Sequence, residues 1–186
     1  MGTPLKPLPV KLITGLISEN TERLQHARKL LERHFGRADM VSPVFAFDQT
    51  DYYEEEFGKD LRRLFLCFEK LIPADTLGAI KQWTNNLETR LSRGPRERTV
   101  NIDPGYISLA KLVLATTKNH SHRIYVRQGI FEEVTLVFRG HTFVPLAWTY
   151  PDYRQESHVA FFNETRDAYK QRIEKIYGVS QLYRCV

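Results

Sequence analysis

A single-domain α+β fold is predicted by three observations: the chain length of 186 residues, apolar runs of two different periods, and the order in which those runs follow one another. One core of roughly 100–200 residues is the usual domain size. With 42% apolar and 12% aromatic residues, a chain this long hides roughly 70% of the surface that its unfolded form exposes. Short β-branched runs read as strands, and stretches whose apolar residues recur every three or four positions read as helices.

Val10–Ile17 is the first strand. Asn20 can cap the helix that follows, with Glu22 in its first turn facing the positive end of the dipole. Leu24, Ala27, Leu31 and Phe35, joined by Leu30, form its buried stripe, and Gly36 supplies the stop. Met40–Phe47 is a second strand, placed at an edge or bulge by Pro43. Leu61–Ile72 is a third, broken by Pro73. Asp75 is the expected cap of a second helix with the stripe Leu77, Ile80, Trp83 or Thr84, Leu87 and Leu91, ended by Arg93-Gly94-Pro95. Thr99–Ile102 is a fourth strand, closed by the turn Asp103-Pro104-Gly105.

Strand, helix, strand, strand, helix, strand is the order of a ferredoxin-like βαββαβ unit. A meander then extends the mixed or antiparallel sheet. Ile107–Thr116 fits a strand or a buried helix. His122–Arg127, Phe131–Arg139 and Thr142–Leu146 are strands with turns at Gln128-Gly129 and Arg139-Gly140. A last helix runs from about Ser157 to Tyr177, with Phe162, Thr165, Tyr169, Ile173 and Ile176 on one face and Gly178 after it. Residues 1–9, with Pro4, Pro7 and Pro9, are expected to be a flexible segment. Residues 10–178 make the domain, and residues 179–186 a tail.

No apolar run approaches the roughly 20 residues that span a bilayer, and none has signal-peptide form. Cys67 and Cys185 make a poor disulfide framework and suit a reducing compartment, so a cytoplasmic location without membrane contact is expected. The net charge of +5 is dispersed. Lys/Arg and Asp/Glu number seven and five in residues 1–50, nine and nine in 51–100, five and three in 101–150, and six and five in 151–186. RNA readers concentrate their positive charge, so RNA is the less favoured partner. There is no GxxxxGK[ST], GxGxxG, HExxH, CxxC or GxSxG motif.

Four polar-aromatic segments can carry chemistry. Asp48–Gly58 holds five carboxylates and two tyrosines. Asp51 with a glutamate offers the clustered oxygens that Mg²⁺ prefers, although an acidic first turn of a surface helix explains the same residues. In Arg98–Tyr106, Asn101 and Asp103 stand two apart in a strand and share a face, while Asp-Pro-Gly is also an ordinary turn. In Thr116–Arg123, Lys118 and Arg123 supply charge-assisted donors for an anion and His122 can move a proton near neutral pH. A solvated loop has the same composition. In Trp148–Arg154, Trp148 and Tyr150 offer stacking faces and Asp152 a fixed polar contact, or the aromatics seal the end of the sheet. Glu133 gains weight if buried.

Thr50–Gly58 (TDYYEEEFG), Phe68–Ile72 (FEKLI), Val100–Tyr106 (VNIDPGY), Lys111–Tyr125 (KLVLATTKNHSHRIY) and Trp148–Arg154 (WTYPDYR) resemble an uncharacterised prokaryotic family, domain of unknown function 4416, from about Lys11 to Tyr177. The resemblance implies one domain and supplies no catalytic residues.

If the four segments converge, they line one pocket. The expected function is binding of a small anionic or phosphate-containing ligand such as a nucleotide, with Mg²⁺ a possible cofactor. Asp51, Asp103 and His122 are then the candidates for chemistry, and Asn101, Lys118, Arg123, Trp148, Tyr150 and Asp152 those for binding. The alternative is a non-catalytic RNA- or protein-binding module.

Overall fold

The strand β1 (Val10–Ser18) is buried along its whole length, which places it inside the sheet. The computed structural model describes residues 6–48, 57–94 and 97–179. β1 pairs antiparallel with β4 (Arg62–Ile72) on one side and with β5 (Asn101–Ile107) on the other. β2 (Ala38–Val41) and β3 (Phe45–Ala46) both pair antiparallel with β4. The order β2-β4-β1-β5, with helices after β1 and β4, is that of a ferredoxin-like unit.

The extension continues the same sheet. β6 (Lys111–Thr116) joins β5, β8 (Ile130–Arg139) joins β6, and β7 (Ile124–Arg127) and β9 (Thr142–Pro145) pair with β8. Every one of these pairings is antiparallel. The chain is an α+β protein.

Helix α1 (Thr21–Phe35) starts as its sequence predicts, with the Asn20 side chain accepting the Glu22 N–H at 2.7 Å. α2 (Leu77–Leu91) and α1 bury Leu24, Leu31, Ile80 and Leu87 against Leu12, Leu64, Leu66 and Ile102 on one face of the sheet. α3 (Glu156–Tyr177) covers the other face, packing Phe161 and Phe162 on Ile13, Phe65, Ile107 and Leu112. Each fully buried side chain of this kind stabilises by about 1.5–3 kcal/mol, so the sheet is held from both sides. No helix of the described residues is long and apolar enough to cross a membrane.

Four local expectations need correction. The strand at Met40–Phe47 is two short pieces, because Pro43 interrupts pairing on the outer side of β4. Asp75 makes no capping hydrogen bond. It lies in a 3₁₀ turn (Ala74–Thr76), and Thr76 takes the cap position. Ile107–Thr116 is the end of β5, a tight turn and β6. Ile176, expected on the buried stripe of α3, is half exposed.

A fifth correction positions the site. Asp103-Pro104-Gly105 is the middle of β5, and β5 stays paired with β1 from Asn101↔Ile17 to Ile107↔Lys11. Its pairing with β6, by contrast, covers only Gly105↔Leu114, Tyr106↔Val113 and Ile107↔Leu112. Strand residues two apart present their backbone groups to the same neighbour. Tyr106 faces β6, so Pro104 and Ile102 face it too. Pro104 has no N–H with which to continue that ladder. The sheet therefore opens between Asn101–Pro104 and the end of β6.

The groups orphaned by that opening are taken up by α2. Glu88 Oε1 accepts the Ile102 N–H at 2.6 Å, and Lys81 Nζ donates to the Ile102 carbonyl at 3.1 Å. Lys81 and Glu88 are seven residues apart and share one side of the helix. A buried backbone group left without a partner costs about 1–3 kcal/mol, so the two side chains stabilise the opening. Gly105 closes the last rung before it. A Cβ there would stand 2.3 Å from the Val113 carbonyl oxygen, so only glycine permits the approach.

Candidate functional site

A cavity of about 590 Å³ occupies the opening. That volume lies within the roughly 300–1,000 Å³ typical of small-molecule sites. Its walls come from both faces of the sheet. Lys81, Asn85 and Glu88 reach it from α2, and Tyr150, Asp152 and Tyr153 from the segment before α3. Asn101 and Asp103 of β5 face Leu114–Lys118 across the gap.

Three hydrogen-bonded networks hold the walls. In the first, Lys81 Nζ donates to Asp103 Oδ1 at 3.1 Å and Asn101 Nδ2 donates to Asp103 Oδ2 at 2.5 Å. Arg98 Nη1 donates to Asn101 Oδ1 at 3.0 Å and to Glu88 Oε2 at 2.9 Å. Burial alone would raise the Asp103 carboxyl, but Lys81 and Arg63 hold it below the usual carboxylate range. Burial does raise Glu88, with Lys81 opposing and Asp103 reinforcing the shift. Two carboxylates of one network are thus pushed in opposite directions, a pattern that acid–base sites use and ion-pair networks also produce.

In the second network, Arg123 is a three-way clamp. Its Nε donates to Glu133 Oε2 at 2.7 Å, its Nη1 to the Lys118 carbonyl at 3.0 Å, and its Nη2 to the Tyr150 hydroxyl at 2.9 Å. Burial opposes the charge on Arg123, yet its bonds to Glu133 and Tyr150 raise it above its ordinary value. In the third, Arg63 Nη2 and Asp152 Oδ2 pair at 2.5 Å, and the guanidinium lies 5.0–5.5 Å from the ring centres of Phe47, Phe65 and Tyr153. Gly15 leaves room for it, since a Cβ at that position would stand 2.8 Å from Arg63 Nη1.

The model of one protein family, described as a domain of unknown function (DUF4416), matches residues 8–169. The chain belongs to that family. No curated protein and no solved structure matches it. In this DUF4416 chain, three of the segments that carry the resemblance, Val100–Tyr106, Lys111–Tyr125 and Trp148–Arg154, contribute cavity residues.

Of the candidates named from sequence, Asn101, Asp103, Lys118, Arg123, Tyr150 and Asp152 line the one cavity. His122 and Trp148 are not among its lining residues. His122 Nε2 lies 3.0 Å from Glu133 Oε2, with its ring stacked on Trp148, whose Nε1 donates to the Val134 carbonyl at 2.9 Å. The two side chains brace the wall from behind. Asp51 lies outside the described residues. Glu133 is buried and lines the cavity.

Sequence reasoning misses Arg63, Lys81 and Glu88 and includes Arg98 only as the first residue of the segment Arg98–Tyr106. A signal existed for two of them: Lys81 and Glu88 adjoin Ile80 and Leu87 in the buried stripe of α2, where a charge calls for a partner. No group of three or more His, Cys, Asp and Glu side chains among the described residues is arranged to hold a metal ion.

Proposed function

We propose that this DUF4416 protein binds a small organic anion, bearing phosphate or carboxylate, in the cavity between β5 and β6. One observation carries the reading. Among the described residues, five cationic side chains (Arg63, Lys81, Arg98, Lys118 and Arg123) line the cavity together with four carboxylates (Glu88, Asp103, Glu133 and Asp152), with His120 beside them. Fixed cationic side chains gathered in a partly desolvated hollow favour an anion, because Coulomb interactions strengthen as water is excluded. Polar groups held by mutual bonds also need little reorganisation to accept a ligand. A nucleotide is one member of the class. Mg²⁺ would enter with the ligand.

A thermal-shift panel of phosphomonoesters, nucleotides and small carboxylates, with and without Mg²⁺, tests this. A ligand at a hundred times its Kd stabilises by about 2.7 kcal/mol, or roughly 5–10 °C for a domain of this size. Thr117→Trp places a large ring at the exposed rim of the cavity and should abolish the shift without unfolding the protein. Absence of a shift with every anion, or binding that survives Thr117→Trp, contradicts the proposal.

A second reading, a module that binds RNA or protein, draws on one other feature: Ile124, Tyr125 and Val126 are exposed on β7, at the end of the sheet. Filter binding with mixed RNA at two salt concentrations tests its RNA form, because affinity driven by phosphate contacts falls as salt rises.

A further inference from the structure

Glu132 and Glu133 are neighbours in β8, so their side chains point to opposite faces of the sheet. Glu133 is paired with Arg123 and His122 in the cavity wall. Glu132 is half-buried, and among the described residues its carboxylate makes neither a hydrogen bond nor an ion pair. Burial alone raises its carboxyl above the usual range. A carboxylate taken partly out of water without a counter-charge is costly, so this position calls for a partner.

Glu132 opens on a second hollow, of about 670 Å³, between α2 and the end of β7. It shares no lining residue with the cavity between β5 and β6. Ala74 and Asp75 reach it from the turn before α2, Tyr106 from β5, and Val126, Arg127 and Gln128 from the end of β7. These walls are held together. A Cβ on Gly78 of α2 would stand 3.0 Å from Arg127 Cγ and 3.6 Å from Val126 Cγ2, so the strand end lies directly on the helix. Gln82 Nε2 donates to the Gln128 carbonyl at 3.3 Å.

Tyr106 supplies an independent sign of a missing ligand. Its side chain is 9% exposed, with the ring packed beside Val10, Leu77 and Val113. The residue lines the hollow, and its hydroxyl makes no hydrogen bond among the described residues. Burial and the nearby charge of Glu132 push the phenol up to about 12, so it stays neutral and keeps lone pairs to offer. A buried hydroxyl left without a partner costs free energy.

The acceptors open to the hollow are the Glu132 carboxylate, the Tyr106 oxygen and, at the exposed rim, the Asp75 carboxylate. Arg127, whose stem lies along Gly78, makes no ion pair with either acid. A primary ammonium carries three donors and no acceptor, which matches this set. Two carboxylates fall short of the oxygen shell that a divalent ion takes. Ala74 and Val126 add apolar surface for the carbon that an amine brings with it.

We infer that the hollow between α2 and β7 is a second binding site, for a primary alkylammonium group, with its charge on Glu132 and Tyr106 and its alkyl chain against Val126. The site is independent of the anion-binding reading above, and neither stands or falls with the other.

Amide chemical shifts of the ¹⁵N-labelled full chain, titrated with pentylamine hydrochloride, test it. Titrations with 1-pentanol, pentyltrimethylammonium chloride and sodium chloride are the controls. Pentylammonium should move the amides of Asp75, Arg127 and Glu132 in a saturable way. It should bind about tenfold or more tighter than the alcohol or the quaternary amine, the scale of one charge-assisted hydrogen bond. Glu132→Gln should bring pentylammonium down to the level of the alcohol. Tyr106→Phe removes only the hydroxyl and should weaken it severalfold. Both variants keep the shape of the side chain, and unchanged amide shifts elsewhere check the fold.

Equal binding of the alcohol or the quaternary amine, no saturable shift at all, or unchanged binding in Glu132→Gln overturns the inference. If pentylammonium binds only after Arg127→Ala, then Arg127 is the resident partner of Glu132 and the inference fails. Nα-acetyl-lysine N-methylamide separates the sources of the group. Tighter binding than pentylammonium supports the site with a lysine side chain as its ligand, and weaker binding supports it with a free amine.

Discussion

Arg63→Met isolates one of the two most deeply buried ion pairs of the cavity wall. The Arg63 and Asp152 side chains are 3% and 5% exposed and meet at 2.5 Å. Methionine fills much of the volume of the arginine stem, so the substitution removes the charge and spares most of the packing against Phe47, Phe65 and Tyr153. It leaves the buried Asp152 carboxyl without its guanidinium partner. Removing one partner of a buried pair costs about 3–5 kcal/mol, chiefly because the other charge is stranded. For a chain of 186 residues, that lowers Tm by roughly 6–20 °C.

Adding Asp152→Asn removes the stranded charge and should restore at least about 2 kcal/mol, since isosteric replacement of both partners is often close to neutral. Urea melts followed by far-UV circular dichroism measure all four corners of the cycle. A loss below about 1 kcal/mol for Arg63→Met, or no recovery in the double variant, refutes the reasoning.

Gly105→Ala drives a Cβ into the Val113 carbonyl at the last rung of the β5–β6 ladder, and a loss of about 1–3 kcal/mol in the same melts is expected. Burial, reinforced by Arg63 and opposed by the bond to the Asp152 carbonyl, holds the buried His158 imidazole below its ordinary value. The unfolded chain then binds a proton that the folded chain refuses. The stability this contributes is present above about pH 6.5 and lost as pH falls toward the folded value, at up to about 1.4 kcal/mol per pH unit. His158→Gln should lack that component of the slope, and equal slopes for the two proteins contradict the assignment. Burial pushes the Cys67 thiol up to about 12, so in a Cys185→Ser background the native protein should resist a thiol reagent at about pH 8 and react once unfolded.

Much of the architecture was legible because it is written in local periodicity. The unbroken apolar run of β1, the Asn20 cap and the stripe Leu24-Ala27-Leu31 each have one stable reading, and their order led to the ferredoxin-like unit. Asp103-Pro104-Gly105 was not legible as strand, since its turn propensity is real. It is overridden because the missing donor of Pro104 faces a gap, a fact of strand pairing and not of local sequence. Asp75 failed as a cap for a similar reason: the chain enters α2 through a 3₁₀ turn that puts Thr76 at the cap position.

The polar-aromatic segments at strand ends marked half of the cavity, and Asn101, Asp103, Lys118, Arg123, Tyr150 and Asp152 all reach it. The other half comes from Arg63, Lys81 and Glu88, charges embedded in elements that otherwise read as core. Only the three-dimensional pairing of each with a distant partner shows that they belong to the site. The chemistry of His122 suits a role in proton transfer, but its contact with Glu133 turns it to the back of the wall.

The central claim is that the opening between β5 and β6 is a ligand site. A titration of the ¹⁵N-labelled protein with the phosphomonoester giving the largest thermal shift, read by amide chemical-shift changes, tests it most directly. The account predicts the largest changes at Ile102, Asp103, Thr117, Lys118 and Tyr150, on both sides of the gap. Changes concentrated on Ile124–Arg127 of β7, with the gap residues unmoved, would contradict it.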